Sequence, residues 1–194
     1  MTPVVEVILT YLELLAPRPG SEVPSAQPGL RPATLAPSAP PAPVSGELPS
    51  DVELRHEQPP RAAAISARMY GAVGAGFHWL DRRHWTDDQW RAAVNRAGVE
   101  VWTARIAGEI AGYFELHVEP EGVELKYFGL LGQFIGRGLG RGLLSAALRR
   151  ARSIGTGRVT VNTCSLDHPA ALPNYVARGF RVVRTDTERR TLSA

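Results

Sequence analysis

At 194 residues the chain is long enough for one domain, or one domain and a tail. Hydrophobic residues make up 44% and charged residues 21%, ordinary globular values that exclude a wholly disordered chain and a fibrous repeat. No apolar run approaches the roughly 18 residues of a membrane-spanning helix. The net charge is +3, but it is unevenly spread. Eleven arginines and only three carboxylates lie from Arg137 onward, while residues 1–136 hold the other eleven basic groups and sixteen of the nineteen acidic ones. The basic part suits a polyanionic ligand and the acidic part a cationic one. The single cysteine, Cys164, can form no internal disulfide, which fits a reducing, cytoplasmic setting. The first fifteen residues are apolar, but Glu6 and Glu13 interrupt them and no basic segment precedes them, unlike a signal peptide.

In chain order, Val4–Leu15 fits either a strand or a helix, and its β-branched start favours a strand. Residues 17–50 contain ten prolines among Ala and Ser, so residues 18–50 read as a disordered, partly polyproline linker. A short strand is expected at 52–55 and a helix at 61–73, with Pro60 in its first turn. Thr86-Asp-Asp-Gln89 is a capping box, and Trp85 and Trp90 occupy the staple positions around a helix ending near Arg96. Residues 99–105, 109–117 and 123–131 read as three strands joined by turns at Ala107-Gly108 and Glu119–Gly122, an antiparallel meander. On the third of these, strand alternation places Glu124, Lys126 and Phe128 on one face and Leu125 and Tyr127 on the other. Apolar residues at 139, 143, 144, 147, 148 and 151 mark an amphipathic helix over 139–153. A strand at 158–163, a helix near 169–178 and a last strand from Phe180 complete an α+β domain over residues 51–194.

The loop Gly132-Gln-Phe-Ile-Gly136-Arg-Gly138-Leu-Gly140-Arg-Gly142 joins a strand to the amphipathic helix. Glycines let successive N–H groups turn into one concavity, and the helix N-terminus adds partial positive charge, so the pair forms a phosphate cradle. The spacing is neither G-x-G-x-x-G nor a P-loop, which would need a lysine absent here. Tight-turn duty alone is the plain alternative.

Ile135-Gly-Arg-Gly-Leu-Gly140 followed by Leu143-Leu144 resembles the acyl-CoA loop of the GNAT (Gcn5-related N-acetyltransferase) superfamily, whose pattern is [QR]-x-x-G-x-[GA]. Downstream, Ala171-Leu-Pro-Asn-Tyr175-Val-Ala-Arg-Gly179-Phe180 is similar to the family's A-x-x-x-Y-x-x-x-G-F segment. The resemblance covers residues 52–184, with Val4–Leu15 as a displaced first strand, and extends to uncharacterised bacterial members. It departs from the pattern at Ile135, where the family carries Gln or Arg. Gln133 fits literally two residues earlier, but the first register puts Leu139 and Leu143 on the buried stripe. The resemblance implies a mixed, mostly antiparallel central sheet with splayed strands, flanked by helices, the coenzyme lying between the parting strands.

It also implies an N-acetyltransferase that carries an acetyl group from acetyl-CoA to a primary amine of a small molecule or protein, by direct attack in a ternary complex. Such a transfer needs a base for the ammonium, a donor for the oxyanion and an acid for the leaving thiolate. Tyr175 is the candidate acid, since a phenol near pKa 10 stays protonated at neutral pH. Glu124 is the candidate base, matching a glutamate of histone-acetyltransferase members, and Glu115 on the neighbouring strand is its rival. Backbone groups of Leu130 and Leu131 would hold the pantetheine, one of them as oxyanion donor, while Gly136, Arg137, Gly138, Gly140 and Arg141 would surround the diphosphate. His168 stands where many relatives carry Asn, although Asp167-His168-Pro169 equally suits a helix start capped by Asp167. Trp79 and Asp81, with Glu115, would form the acceptor site, with core packing of Trp79 as the competing role. No metal is expected, because His78 and His84 lack a third ligand, and Cys164 reads as a small buried thiol. Partners are expected to be acetyl-CoA and an amine, with no nucleic acid or membrane, and the chain a monomer or homodimer. A non-catalytic acyl-CoA-binding sensor is the alternative, since it needs the loop but not Glu124.

Overall fold

The computed structural model describes residues 3–15, 46–155 and 157–192. Its elements are β1 (Val4–Leu15), β2 (Val52–Glu57), α1 (Arg61–Gly74), α2 (Asp87–Val94), β3 (Val99–Ile106), β4 (Glu109–Glu119), β5 (Gly122–Leu130), α3 (Leu139–Ile154), β6 (Arg158–Cys164), α4 (Ala171–Val176) and β7 (Arg181–Thr191). The strands form one seven-stranded sheet in the order β2-β3-β4-β5-β6-β1-β7. Every neighbouring pair is antiparallel except β5–β6. This is a mixed, mostly antiparallel α+β fold.

Side-chain alternation along β4 builds two cores. Phe114 and Leu116 turn toward α3, whose stripe of Leu143, Leu144, Ala147, Leu148 and Ala151 is essentially solvent-free. Tyr113 turns the other way, toward Ile65, Met69, Tyr70 and Val73 of α1 and Trp90 and Val94 of α2. Each fully buried leucine of α3 contributes about 1.5–3 kcal/mol. At the start of α2 the capping box is complete: Thr86 accepts from the Gln89 amide, and Gln89 returns a bond to the Thr86 amide. The Trp85 and Trp90 rings meet edge-on at 5.2 Å, closing the hydrophobic staple.

β1 is a strand, and it lies inside the sheet. It pairs with β6 from Leu9–Cys164 to Leu15–Arg158 and with β7 from Val4–Thr191 to Glu13–Arg181.

Two expectations change. The disordered linker expected over residues 18–50 lies, for residues 18–45, outside the described residues. Its last part, residues 46–50, is packed: Leu48 joins the α3 core, and a Cβ on Gly142 would stand 2.8 Å from the Glu47 carbonyl oxygen. Gly142 therefore admits this segment against the helix.

The second change concerns β5. Glu115 pairs with Tyr127 but Leu116 pairs with Leu125, so Lys126 is an extra residue, a β-bulge. Leu125 and Tyr127 consequently point to opposite faces. Phe128, opposite Phe114, faces α3, while Glu124, opposite His117, faces the α1 side. Glu124, Lys126 and Phe128 do not share one face.

Candidate active site

β5 and β6 pair only over Val123–Val159, Glu124–Thr160 and Leu125–Val161, although β5 continues to Leu130 and β6 to Cys164. The strands part beyond these pairs. In the gap opens a cavity of about 1320 Å³ that takes lining from both faces of the sheet. That is above the range of roughly 300–1,000 Å³ usual for small-molecule sites, which suits a long ligand.

One end of the cavity is the start of α3. Gly138 is its N-cap, with φ 78°, and Gly136 has φ 83°. A Cβ at either would meet nothing within 4 Å. These two glycines thus adopt the left-handed backbone and leave their space to the cavity, while Leu139 and Leu143 are buried as the chosen register requires. Gly136, Gly138, Gly140 and Arg141 all line the cavity, as does Leu130. Arg137 does not; its guanidinium lies 5.2 Å from the Phe134 ring. The Leu131 N–H donates to the Ala111 carbonyl at 2.9 Å, so it is not free to serve as an oxyanion donor.

Tyr175, on α4, lines the same cavity and is 5% exposed. Its ring rests edge-on against Phe128 and Phe180. Burial raises its phenol above the ordinary value, and the Asp167 charge adds to the rise. The hydroxyl has no hydrogen-bond partner among the described residues, so its proton is available to a ligand. Beside it, Arg178 is 6% exposed and donates to Asn174 and to the Arg141 carbonyl, tying α4 to α3.

At the other end stand Trp79, Asp81 and His168. Trp79 Nε1 donates to Asp167 Oδ1 at 3.1 Å. Asp167 also accepts from Thr163 and from the Cys164 amide. It therefore locks the end of β6 instead of capping α4, and His168 Nδ1 accepts the Ala170 N–H in its place. Trp79 both packs against the α1 core and lines the cavity. Cys164 lines it too, with its thiol pushed up by burial and by Asp167.

The two glutamates lie elsewhere. Glu124 is outside the cavity wall, bound to Lys126 at 3.1 Å and near Asn162, and both of these do line it. Glu115 is fully buried and bound by Ser66, Arg82 and His117, so it touches no ligand. Burial raises its carboxyl, but the His117 hydrogen bond, the Arg82 charge and the Ser66 hydrogen bond together hold it below its ordinary value. Both the base and the acceptor contact expected of Glu115 are corrected to a structural ion pair.

A family model described as the Acetyltransferase (GNAT) family matches residues 62–180, more than half of the chain. The chain belongs to the GNAT acetyltransferase family. No curated protein sequence matches it significantly. Among solved structures it is similar to a GCN5-related N-acetyltransferase from Sphaerobacter thermophilus (15% identity, TM-score 0.64, covering 95% of this chain and 51% of that one). It is also similar to a functionally unknown conserved protein from Staphylococcus epidermidis (12%, TM-score 0.57, 96% and 61%). A third likeness is to an aminoglycoside acetyltransferase from an uncultured soil metagenomic sample, solved with sisomicin (13%, TM-score 0.53, 66% and 86%). At these identities the likeness is one of fold. The chain spans about half to three-fifths of the length of the first two.

Several cavity residues of this GNAT domain carry no motif signal: Leu9 and Tyr11 of β1, and Glu188 and Arg190 of β7. Only the position of β1 within the sheet brings them there. Gly74 is a further hidden determinant, since a Cβ on it would lie 2.6 Å from Trp79 Cβ. Gly74→Ala is expected to push Trp79 off Asp167 at a cost of about 1–3 kcal/mol. Urea unfolding and tryptophan fluorescence would read both effects.

Proposed function

We propose that this GNAT domain transfers an acetyl group from acetyl-CoA to a primary amine by direct attack within a ternary complex. The supporting observation is the single cavity at the β5–β6 gap, which joins a glycine-opened helix N-terminus and a buried tyrosine to an aromatic, carboxylate-bearing end. Acetyl-CoA, when bound, supplies the thioester carbon that the amine attacks and the thiolate that leaves. The amides at the start of α3, its partial positive charge and Arg141 receive the diphosphate. Tyr175, kept protonated by burial, gives its proton to the departing sulfur. The proton lost by the amine passes toward Glu124 across a water, because Glu124 meets the cavity only through Lys126 and Asn162. Trp79 and Asp81 hold the amine, while His168 and the Leu130 backbone border the coenzyme.

Calorimetric titration with acetyl-CoA, and with CoA for comparison, tests the coenzyme half. Micromolar binding is expected, and no binding by folded protein would overturn it. Tyr175→Phe is expected to lower turnover about 10²–10⁴-fold while leaving CoA affinity nearly unchanged. Turnover at the wild-type rate would remove the acid role. The position of Glu124 outside the cavity wall favours one other reading, an acyl-CoA sensor, which would bind the coenzyme and acetylate no amine.

A further inference from the structure

We propose that the acceptor binds as an alkylammonium ion whose anchor is Asp81, held in position by Tyr70 and Tyr127 and, behind them, by the buried Arg82–Glu115 pair. The inference rests on the acyl-transfer reading above and specifies what the second half of the cavity takes.

Charge accounting singles out Asp81. Of the carboxylates lining the cavity, Glu188 is paired with Arg190. Asp167 is saturated by Trp79, Thr163 and the Cys164 amide. Asp81 is in no ion pair among the described residues and is exposed to the cavity; Arg190, which also lines the cavity, feels its charge but forms its ion pair with Glu188. Its negative charge is therefore the one left to offer a ligand.

Two phenols hold that carboxylate still. The Tyr70 hydroxyl donates to Oδ1 at 2.7 Å, and the Tyr127 hydroxyl donates to Oδ2. Tyr70 oxygen in turn accepts the Arg82 N–H at 3.0 Å, so its own proton must point at Asp81. Burial raises both phenols above their ordinary value, and the Asp81 bond raises them further, so both remain donors through the neutral range. Each carboxylate oxygen keeps a second lone pair for an ammonium N–H.

The support runs inward. The Arg82 guanidinium, 5% exposed, lies 4.6 Å from the Tyr127 ring centroid. Glu115 fixes it through a 2.9 Å bond to Nη1. Tyr127 is thus clamped between a buried cation and the carboxylate it bonds. Its ring and Trp79, 5.2 Å apart between centroids, wall the approach to Asp81. Aromatic faces beside a fixed carboxylate favour a cation on an alkyl stem. A lysine-type amine, with a pKa near 10.4, arrives at neutral pH in that form, whereas a neutral alcohol of the same shape gains nothing from the charge.

Calorimetric titration of the full chain with n-butylammonium, and with 1-butanol as its neutral counterpart, tests the proposal with and without CoA present. Butylammonium is expected to bind and 1-butanol not to bind at the same concentration. Asp81→Asn should weaken butylammonium at least tenfold, and Tyr127→Phe or Tyr70→Phe about threefold, with CoA affinity unchanged in all three. In turnover the two phenylalanine variants should raise KM for butylamine and leave kcat nearly as it was. Equal binding of butanol, or full butylammonium affinity in Asp81→Asn, would overturn the proposal. Loss of CoA binding by folded wild-type protein would strike the acyl-transfer reading instead, and the titration without CoA would still decide the anchor.

Discussion

Replacing Glu115 by alanine is expected to destabilise the fold by about 3–5 kcal/mol, because it leaves Arg82 charged, buried and without its carboxylate. The residue sits where water does not reach, and Ser66 and His117 lose a partner in the same step. Urea unfolding followed by circular dichroism would measure the loss. A cost under about 1 kcal/mol would mean that Arg82 finds another partner or water. Glu115→Gln retains the shape and some hydrogen bonding, so it should fall between the two. Acid reveals the same pair. The folded carboxyl is held below its ordinary value of 4.5, so its contribution is complete above that pH and fades as the pH falls through the lower folded value. Below about pH 4.5 the wild type should therefore lose stability more steeply than Glu115→Gln.

The second large effect is expected at the α3 N-cap. Gly138→Asp should lower acyl-CoA affinity about a thousandfold. A carboxylate about 4 Å from a phosphate charge costs about 4 kcal/mol at an effective dielectric of about 20. Gly138→Ala separates backbone from charge. A Cβ there meets no neighbour, so alanine carries only the left-handed backbone cost of about 1–2 kcal/mol. It should leave affinity within about tenfold of wild type. Equal losses from both substitutions would show that backbone geometry, not charge, governs the loop. Full affinity in Gly138→Asp would mean that the diphosphate lies elsewhere.

Much of this architecture was legible because local rules and tertiary packing agree. The α3 stripe, the Thr86 capping box and the β3–β4–β5 meander all follow from side-chain period and turn residues, and each element lies within a few residues of its expected place. The glycine loop was legible as well, since Gly136 and Gly138 need positive φ and open space. What could not be read depends on register and on distant chain segments. A single bulged residue, Lys126, reverses the faces of β5 beyond it and separates Glu124 from Phe128. No periodicity announces a one-residue insertion. In sequence Glu115 reads as a strand carboxylate available to a ligand, but in the fold Arg82, thirty-three positions away, occupies it. Asp81 shows the converse. Its place in an acceptor site follows from the family resemblance, but the tyrosines that fix it come from α1 and β5 and converge only in the fold.

The pairing of β1 with β7 has a topological consequence. Val4 faces Thr191, and the Leu192 N–H donates to the Pro3 carbonyl at 3.0 Å, so the end of the last strand lies beside the start of the first as the two arms of a hairpin would. A short turn from residue 192 to residue 3 would leave every strand neighbour unchanged. A chain beginning at residue 46 and ending at Leu15 could then wind the same sheet. Covalent order and spatial order are separable in this domain: β1, which walls the cavity, precedes every other described strand in sequence, yet it lies in the sheet beside the last.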